Sequence, residues 1–382
     1  MTTGIFPRRR ASKGPSIWIA GGGSGGHVFP GLAVADELTG RGVAVGWVGG
    51  RGMERGLVER HGLPFLRRSA RPLVGRGPLG KLRALATLAI SALRTGWSVQ
   101  RRGVRAVLGT GGYVSAPAVL GARLAGRPTL LLEPNAEPGV ANVLLSRLAT
   151  EALVASSAGA ARLRCRVIEV GVPVRAGFFE IGPLPPAPPI RLLVLGGSQG
   201  AQHLNRVLPQ ALERLAAEAP DLRLSVVHQT GAAQAESARS AHRAVTLDDN
   251  RIAVEVVEFL HDMPAAMRAA HCILGRAGAI TLAEICAAGR PSLLLPLHLA
   301  GGHQEANARR LERAGAACVL ANEPALSIED DARRMAAALR PLVEDLDRLH
   351  TMGDAARSLS RPDAAPTIAD RVAFHAGLGG HA

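Results

Sequence analysis

The chain has 382 residues, with 45 Lys/Arg against 31 Asp/Glu, 47% hydrophobic residues and 3% aromatics. That length predicts two domains of ordinary size, each with its own core, and no apolar run approaches the ~18 residues of a membrane span. Residues 1–189 hold 25 basic and 9 acidic side chains and residues 190–382 hold 20 and 22, so a basic front half is predicted to face an anionic membrane or a phosphorylated substrate. With few aromatics to stack bases, membrane or phosphate is favoured over single-stranded nucleic acid, and no nucleic-acid partner is expected.

Residues 1–15 form a basic extension whose apolar continuation, Ile17 to Ala20, is too short for a signal peptide, and a cytoplasmic protein is expected. A strand over 16–20 then runs into the loop Gly21-Gly22-Gly23-Ser24-Gly25-Gly26-His27. Further strands are predicted at 43–48, 106–108, 129–132, 152–155 and 167–170, with helices at 31–40, 51–61, 81–94, 117–125 and 141–148. Residues 181–190 carry five prolines, which no helix or inner strand tolerates, and read as a linker between domains at 16–180 and 191–349. The second half opens with the same device, Leu192 to Leu195 running into Gly196-Gly197-Ser198-Gln199-Gly200-Ala201. Its strands are predicted at 191–195, 223–229, 252–255, 272–274, 292–295 and 318–320, and its helices at 203–219, 262–269, 280–287, 304–314 and 328–349. Continuous apolar strands alternating with helices give an α/β fold of two doubly wound parallel sheets, with ligands in a cleft at the strand C-terminal edges.

The two glycine loops carry the chemistry. A strand turning tightly into a helix leaves N–H groups unpaired at the positive end of the dipole, where a phosphate fits. Gly21-x-Gly23-x-x-Gly26 matches the dinucleotide fingerprint, but the second strand ends Trp47-Val48-Gly49-Gly50 without the acid a nicotinamide enzyme needs. Gly75 to Lys81 has P-loop spacing, but Leu82 stands where a magnesium-binding hydroxyl belongs. Asp345 and Asp347 lie two apart in a helical stretch and point to different sides, which leaves them a solvated face rather than a metal site. The cysteines Cys165, Cys272, Cys286 and Cys318 form no Cys-x-x-Cys pair, so neither zinc nor a disulfide framework is indicated.

His27, beside helix N–H groups, is expected to stay neutral and accept a proton from a hydroxyl. Glu133, Pro134 and Asn135 follow a strand where binding residues collect. Glu284 is placed to accept two ribose hydroxyls, and Arg175 to meet a diphosphate by bidentate pairing. Residues 78–99 form an amphipathic helix with Leu82, Leu85, Ala86, Ala89 and Leu93 on one face. That face either packs inward or, rimmed by Lys81, Arg83 and Arg94, docks on an anionic bilayer, where each basic residue adds about 1 kcal/mol.

Taken together, the motifs at 21–30, 109–115, 133–139, 196–201, 276–285 and 303–308 resemble the MurG family, which adds N-acetylglucosamine to undecaprenyl-diphospho-N-acetylmuramoyl-pentapeptide. The resemblance covers residues 16–350. It implies two Rossmann-like domains in the GT-B arrangement, with residues 350–382 crossing back to the first. It also implies UDP-N-acetylglucosamine as donor, no cofactor or metal, and inversion at the anomeric carbon. By motif, His27 is the base with Glu133 assisting, and Gly25, Gly26, Gly111, Gly112 and Tyr113 meet the acceptor. Ser24, Gly25, Asn135, Arg175, Ser198, Gln199, Gly200, Leu260, Ala279, Ile280, Glu284, His303 and Gln304 meet the donor. The resemblance further implies a peripheral protein on the cytoplasmic face of the membrane, working with cell-wall synthesis or division proteins. Pro134, and Gly302 before His303, depart from the family pattern. Rival readings are a glycosyltransferase of the same architecture with another acceptor, and a non-catalytic membrane-binding protein.

Overall fold

The computed structural model describes residues 16–71, 77–196, 201–247, 251–297, 303–321, 323 and 325–378. The first seven strands, β1 (Ser16–Ala20), β2 (Ala44–Gly49), β3 (Phe65–Arg67), β4 (Val104–Gly109), β5 (Thr129–Glu133), β6 (Glu151–Val154) and β7 (Arg166–Glu169), make one parallel sheet in the order β3-β2-β1-β4-β5-β6-β7. A second, in the order β10-β9-β8-β11-β12-β13, is built from β8 (Ile190–Leu195), β9 (Leu224–Gln229), β10 (Ile252–Val257), β11 (Cys272–Gly275), β12 (Ser292–Leu294) and β13 (Ala317–Val319). In each sheet the order reverses direction beside the first strand, so both glycine loops leave at a switch point where a crevice must open. The strands are apolar end to end because helices cover both faces: Ile17, Ile19, Leu108, Leu130 and Leu132 are fully buried.

The helices of the first lobe are α1 (Gly25–Gly40), α2 (Glu54–Arg60), α3 (Pro78–Arg101), α4 (Ala116–Leu124) and α5 (Val140–Leu145). Those that follow are α6 (Gln202–Glu218), α7 (Ala235–Arg243), α8 (Met263–Ala269), α9 (Ala279–Ala288), α10 (His303–Arg313), α11 (Ile328–Val343), α12 (Leu346–Ser358) and α13 (Ala364–His375). Helix α1 begins six residues before the predicted start, inside the glycine loop. Pro30 forfeits only the bond to the Gly26 carbonyl, and burial of Val28, Leu32, Ala35 and Leu38 holds the helix to the sheet. The single helix predicted over 328–349 is two, because Asp345 accepts the Arg348 N–H at 2.9 Å and caps a new start. Strand β3 and helix α7 were not legible: β3 is a three-residue edge, and α7 buries only Ala235 and Ala238.

Helix α12 belongs to the second lobe, with Leu349 and Met352 in that core. Helix α13 lies on the first, where Ile368, Ala369 and Val372 join the core of Ile17, Leu32 and Leu108. The chain therefore passes between lobes twice. At the first passage Arg290, fully buried, donates to the carbonyls of Gly182 and Pro183, and Arg357 donates to that of Ile181.

The apolar face of α3 points outward. Leu79, Leu82, Leu85, Ile90, Leu93 and Trp97 are at least half exposed, while the helix packs on α4 through Ala92, Thr95 and Gly96. Small side chains let the two helices approach closely; a methyl on Gly121 would stand 2.5 Å from the Ala92 carbonyl.

Candidate active site

His27 occupies the first turn of α1, at the C-terminal edge of the first sheet. Its Nδ1 lies 3.1 Å from the Thr110 carbonyl, which can only accept, so Nδ1 carries the proton and Nε2 keeps the lone pair. Burial pushes its pKa below the ordinary 6.5, outweighing the Thr110 carbonyl and the Glu133 carboxylate. The ring is pressed against the loop after β4: a Cβ on Gly111 would stand 2.7 Å from Nδ1, and Gly111 itself has φ +104°. Only glycine combines that backbone with that proximity. Thr110 Oγ1 also donates to the His27 carbonyl at 2.6 Å, clamping the turn from the other side. Tyr113 stands exposed on the same loop.

Glu133 ends β5 and is buried. Its Oε1 accepts the Asn135 backbone N–H and Nδ2 at 3.0 and 2.9 Å, and Oε2 accepts the Gly139 N–H and Asn142 Nδ2 at 2.8 and 2.9 Å. Three donors from the loop after β5 and one from α5 occupy the carboxylate. Beside it, the Ala136 N–H donates to Asn307 Oδ1 of α10 at 3.3 Å, and Asn307 Nδ2 donates to the Ala277 carbonyl, tying the Asn135 loop to the second lobe.

Glu284, on α9, is 8% exposed and 3.7 Å from the Arg175 guanidinium. Burial raises its pKa to about 7, with Arg175 offsetting only part of the cost. Arg175 lies between the rings of Phe29 and Phe178, at 5.0 and 5.2 Å from their centroids. Phe29 belongs to α1, so this arginine bridges the helix that carries His27 and the helix that carries Glu284. Ala279 and Ile280 open α9 after Gly278, whose position supplies no side-chain cap, leaving first-turn N–H groups for a ligand. Gln304 accepts the Leu297 N–H at 3.0 Å, and Leu260 is half-buried after β10. An open cleft lies between the lobes beside these elements, walled by Pro134, Ala136, Ala279, Ala283 and Asn307. Glu284 is not among its walls.

The structure thus gathers His27, Gly111, Gly112, Tyr113, Glu133 and Asn135 on the first lobe and sets Arg175, Glu284, Ala279 and Ile280 across from them. Ser198, Gln199 and Gly200, and the side chain of His303, lie outside the described residues. Asn307, Thr110 and Phe29 were missed as individual site residues; each stood inside a quoted motif or beside one, but only the fold shows what it touches.

Two parallel-sheet lobes with such a cleft make the GT-B arrangement, and the family models make the chain a glycosyltransferase of that arrangement. The glycosyltransferase family 28 N-terminal domain matches residues 17–154 and the family's C-terminal domain matches residues 191–368. The UDP-N-acetylglucosamine–N-acetylmuramyl-(pentapeptide) pyrophosphoryl-undecaprenol N-acetylglucosamine transferase of Ectopseudomonas mendocina is 42% identical over 93% of this chain and 97% of its own. The enzyme of that name from Xanthomonas campestris is 39% identical over 98% and 85%. The crystal structure of Acinetobacter baumannii MurG superposes with a TM-score of 0.72 at 30% identity, covering 94% of this chain and all of that one. The chain belongs to the MurG family.

Proposed function

We propose that this protein transfers N-acetylglucosamine from UDP-N-acetylglucosamine to the C4 hydroxyl of undecaprenyl-diphospho-N-acetylmuramoyl-pentapeptide, the step that converts lipid I to lipid II. The observation that carries the mechanism is the His27 tautomer: with Nδ1–H given to a carbonyl, Nε2 is an unprotonated base turned away from the protein's own acceptor. The acceptor oxygen attacks the anomeric carbon as its proton passes to Nε2. The bond from that carbon to the diphosphate oxygen breaks, with inversion, and UDP leaves. Glu284 holds the ribose hydroxyls. Arg175 and the open N–H groups of α9 take up the charge developing on UDP. No one dipole suffices, since each is worth about 0.3–2 kcal/mol. The four hydrogen bonds on Glu133 support a positioning form of the assistance expected from sequence, fixing Asn135 toward the donor sugar.

The outward apolar face of α3 supports peripheral membrane docking. Lys81, Arg83, Arg94 and Arg101 surround it, and Leu124, Val140, Leu144 and Leu148 are exposed on the neighbouring α4 and α5 segments. No helix among the described residues is long and apolar enough to cross a membrane. This face would hold the lobe against the bilayer in which the acceptor's lipid is anchored.

The test is His27→Ala in an assay with UDP-N-acetylglucosamine and a short-chain lipid acceptor. General-base help is typically 10²–10⁴ in rate; kcat should fall by about that factor with UDP affinity unchanged. An undiminished kcat removes His27 from the role, and absence of transfer by the parent protein removes the function.

A further inference from the structure

Glu54, the first residue of α2, is fully buried behind the first glycine loop and has no place in the mechanism above. Its Oε1 accepts the N–H groups of Gly50 and Gly52 at 2.8 and 3.2 Å, and its Oε2 accepts that of Gly23 at 3.2 Å. No arginine or lysine pairs with it among the described residues. A buried carboxylate without a cation persists only where N–H dipoles surround it, and here two separate loops supply them.

The loops are shaped to this group. A methyl on Gly22 would stand 2.6 Å from Glu54 Cδ, and one on Gly52 would stand 2.4 Å from Oε2. Gly23 itself is left-handed, with φ +86°, and its N–H bond to Glu54 fixes that turn. The next residues are Ser24, which precedes α1, and Gly25, Gly26 and His27, which form its first turn. On the other side, Gly22 O lies close to Gly112, against which the His27 ring rests.

We propose that Glu54 is a positioning residue for the lipid-linked acceptor. By gathering Gly23, Gly50 and Gly52 on one carboxylate, it sets the direction in which α1 presents its first N–H groups to the acceptor's diphosphate. This rests on the assignment of the first lobe to the acceptor. All three N–H groups belong to that lobe, and the donor meets this turn only through Ser24 and Gly25 while its other contacts lie elsewhere, so a change at Glu54 falls on acceptor recognition far more than on the donor. The carboxylate matters as such: a glutamine has one acceptor oxygen. Kept on the side of Gly50 and Gly52, it turns its NH₂ toward the Gly23 N–H and releases that one link.

The experiment is steady-state kinetics on the full chain with UDP-N-acetylglucosamine and a short-chain lipid-linked muramoyl-pentapeptide, together with UDP titration. Glu54→Gln should raise the acceptor KM about tenfold or more, with the donor KM and the UDP Kd within twofold of the parent. Gly23→Ala strains the same turn without touching the carboxylate, since its methyl would meet only Val114, at 4.0 Å; it should show the same acceptor-selective loss and carries the test if Glu54→Gln does not fold. If kcat or thermal stability falls in both variants with the acceptor KM unmoved, or both KM values rise together, Glu54 merely supports the fold and the proposal is wrong. If the donor KM alone rises, the assignment of this loop to the acceptor fails, and the proposal falls with it.

Discussion

The Glu284 carboxyl shows how far one residue's surroundings decide its use. Its pKa of about 7, against an ordinary 4.5, comes from burial that Arg175 only partly offsets. A group whose pKa is raised in the folded state favours folding below its unfolded value of about 4.5, and that contribution is lost as pH rises through about 7. Glu284→Gln removes the loss. The variant should therefore melt at a higher temperature than the parent at pH 8.5, with the gap narrowing toward pH 5, in scans at several pH values. The same substitution should raise the donor KM roughly 10- to 100-fold, since a hydrogen bond to a charged acceptor contributes about 1.5–3 kcal/mol. In the parent, UDP-sugar affinity should weaken as pH falls from 8 to 6. His27 points the other way: burial lowers its pKa from the ordinary 6.5, so any acid limb it puts on kcat lies below pH 6.5. Residues of this kind were legible in the sequence because they sit in motifs. Glu54, Thr110 and Asn307 were not, because their meaning lies in backbone groups 31, 83 and 171 positions away. Glu133 was legible as important; only the folded path of the chain after it shows four donors on its carboxylate.

Among the elements, the strands were the most legible, since a buried parallel strand is a short apolar run between glycines and few other structures look like that. The helices were legible where an apolar stripe faces a core and blurred at their ends, where caps such as Asp345 decide. The periodicity of α3 was correct but mute about direction. A stripe of Leu82, Leu85, Ala86, Ala89 and Leu93 reads the same whether it meets a core or a bilayer. The packing shows that the stripe is turned outward, because the face toward α4 is made of small residues and the large ones remain outside. If that face docks on lipid, Leu93→Asp combined with Trp97→Ser should cut sedimentation with anionic vesicles at least tenfold, since a buried large side chain contributes about 1.5–3 kcal/mol. Both positions are 60–65% exposed, so the melting temperature should change by less than about 2 °C. Equal binding of the parent to neutral and anionic vesicles would contradict the electrostatic part of the docking.

At the scale of the whole molecule, the passage back by α13 links the two lobes a second time and turns on one buried acid. Glu151, 2% exposed in β6, accepts from Arg371 and lies 3.2 Å from His375 Nε2, both on α13. Burial alone would raise its pKa, but the hydrogen bonds and charges of Arg371 and His375 outweigh burial and hold it below the ordinary 4.5. A depressed carboxyl pKa contributes stability that is complete above the unfolded value and is lost as pH falls through the folded one. The docking of α13 should therefore hold at neutral pH and loosen below about pH 4.5. Breaking a buried ion pair from one side costs about 3–5 kcal/mol. Glu151→Gln should thus speed amide exchange over residues 364–375 by about 100-fold or more at pH 7, with the second lobe's β8 and β11 amides unaffected. Because Ile368, Ala369 and Val372 share a core with β1 and α1, the loosening should reach the helix that carries His27 and lower kcat, with UDP affinity intact. Unchanged exchange in α13 would mean that its apolar face alone fastens the second passage, and that the two lobes are held by packing rather than by this acid.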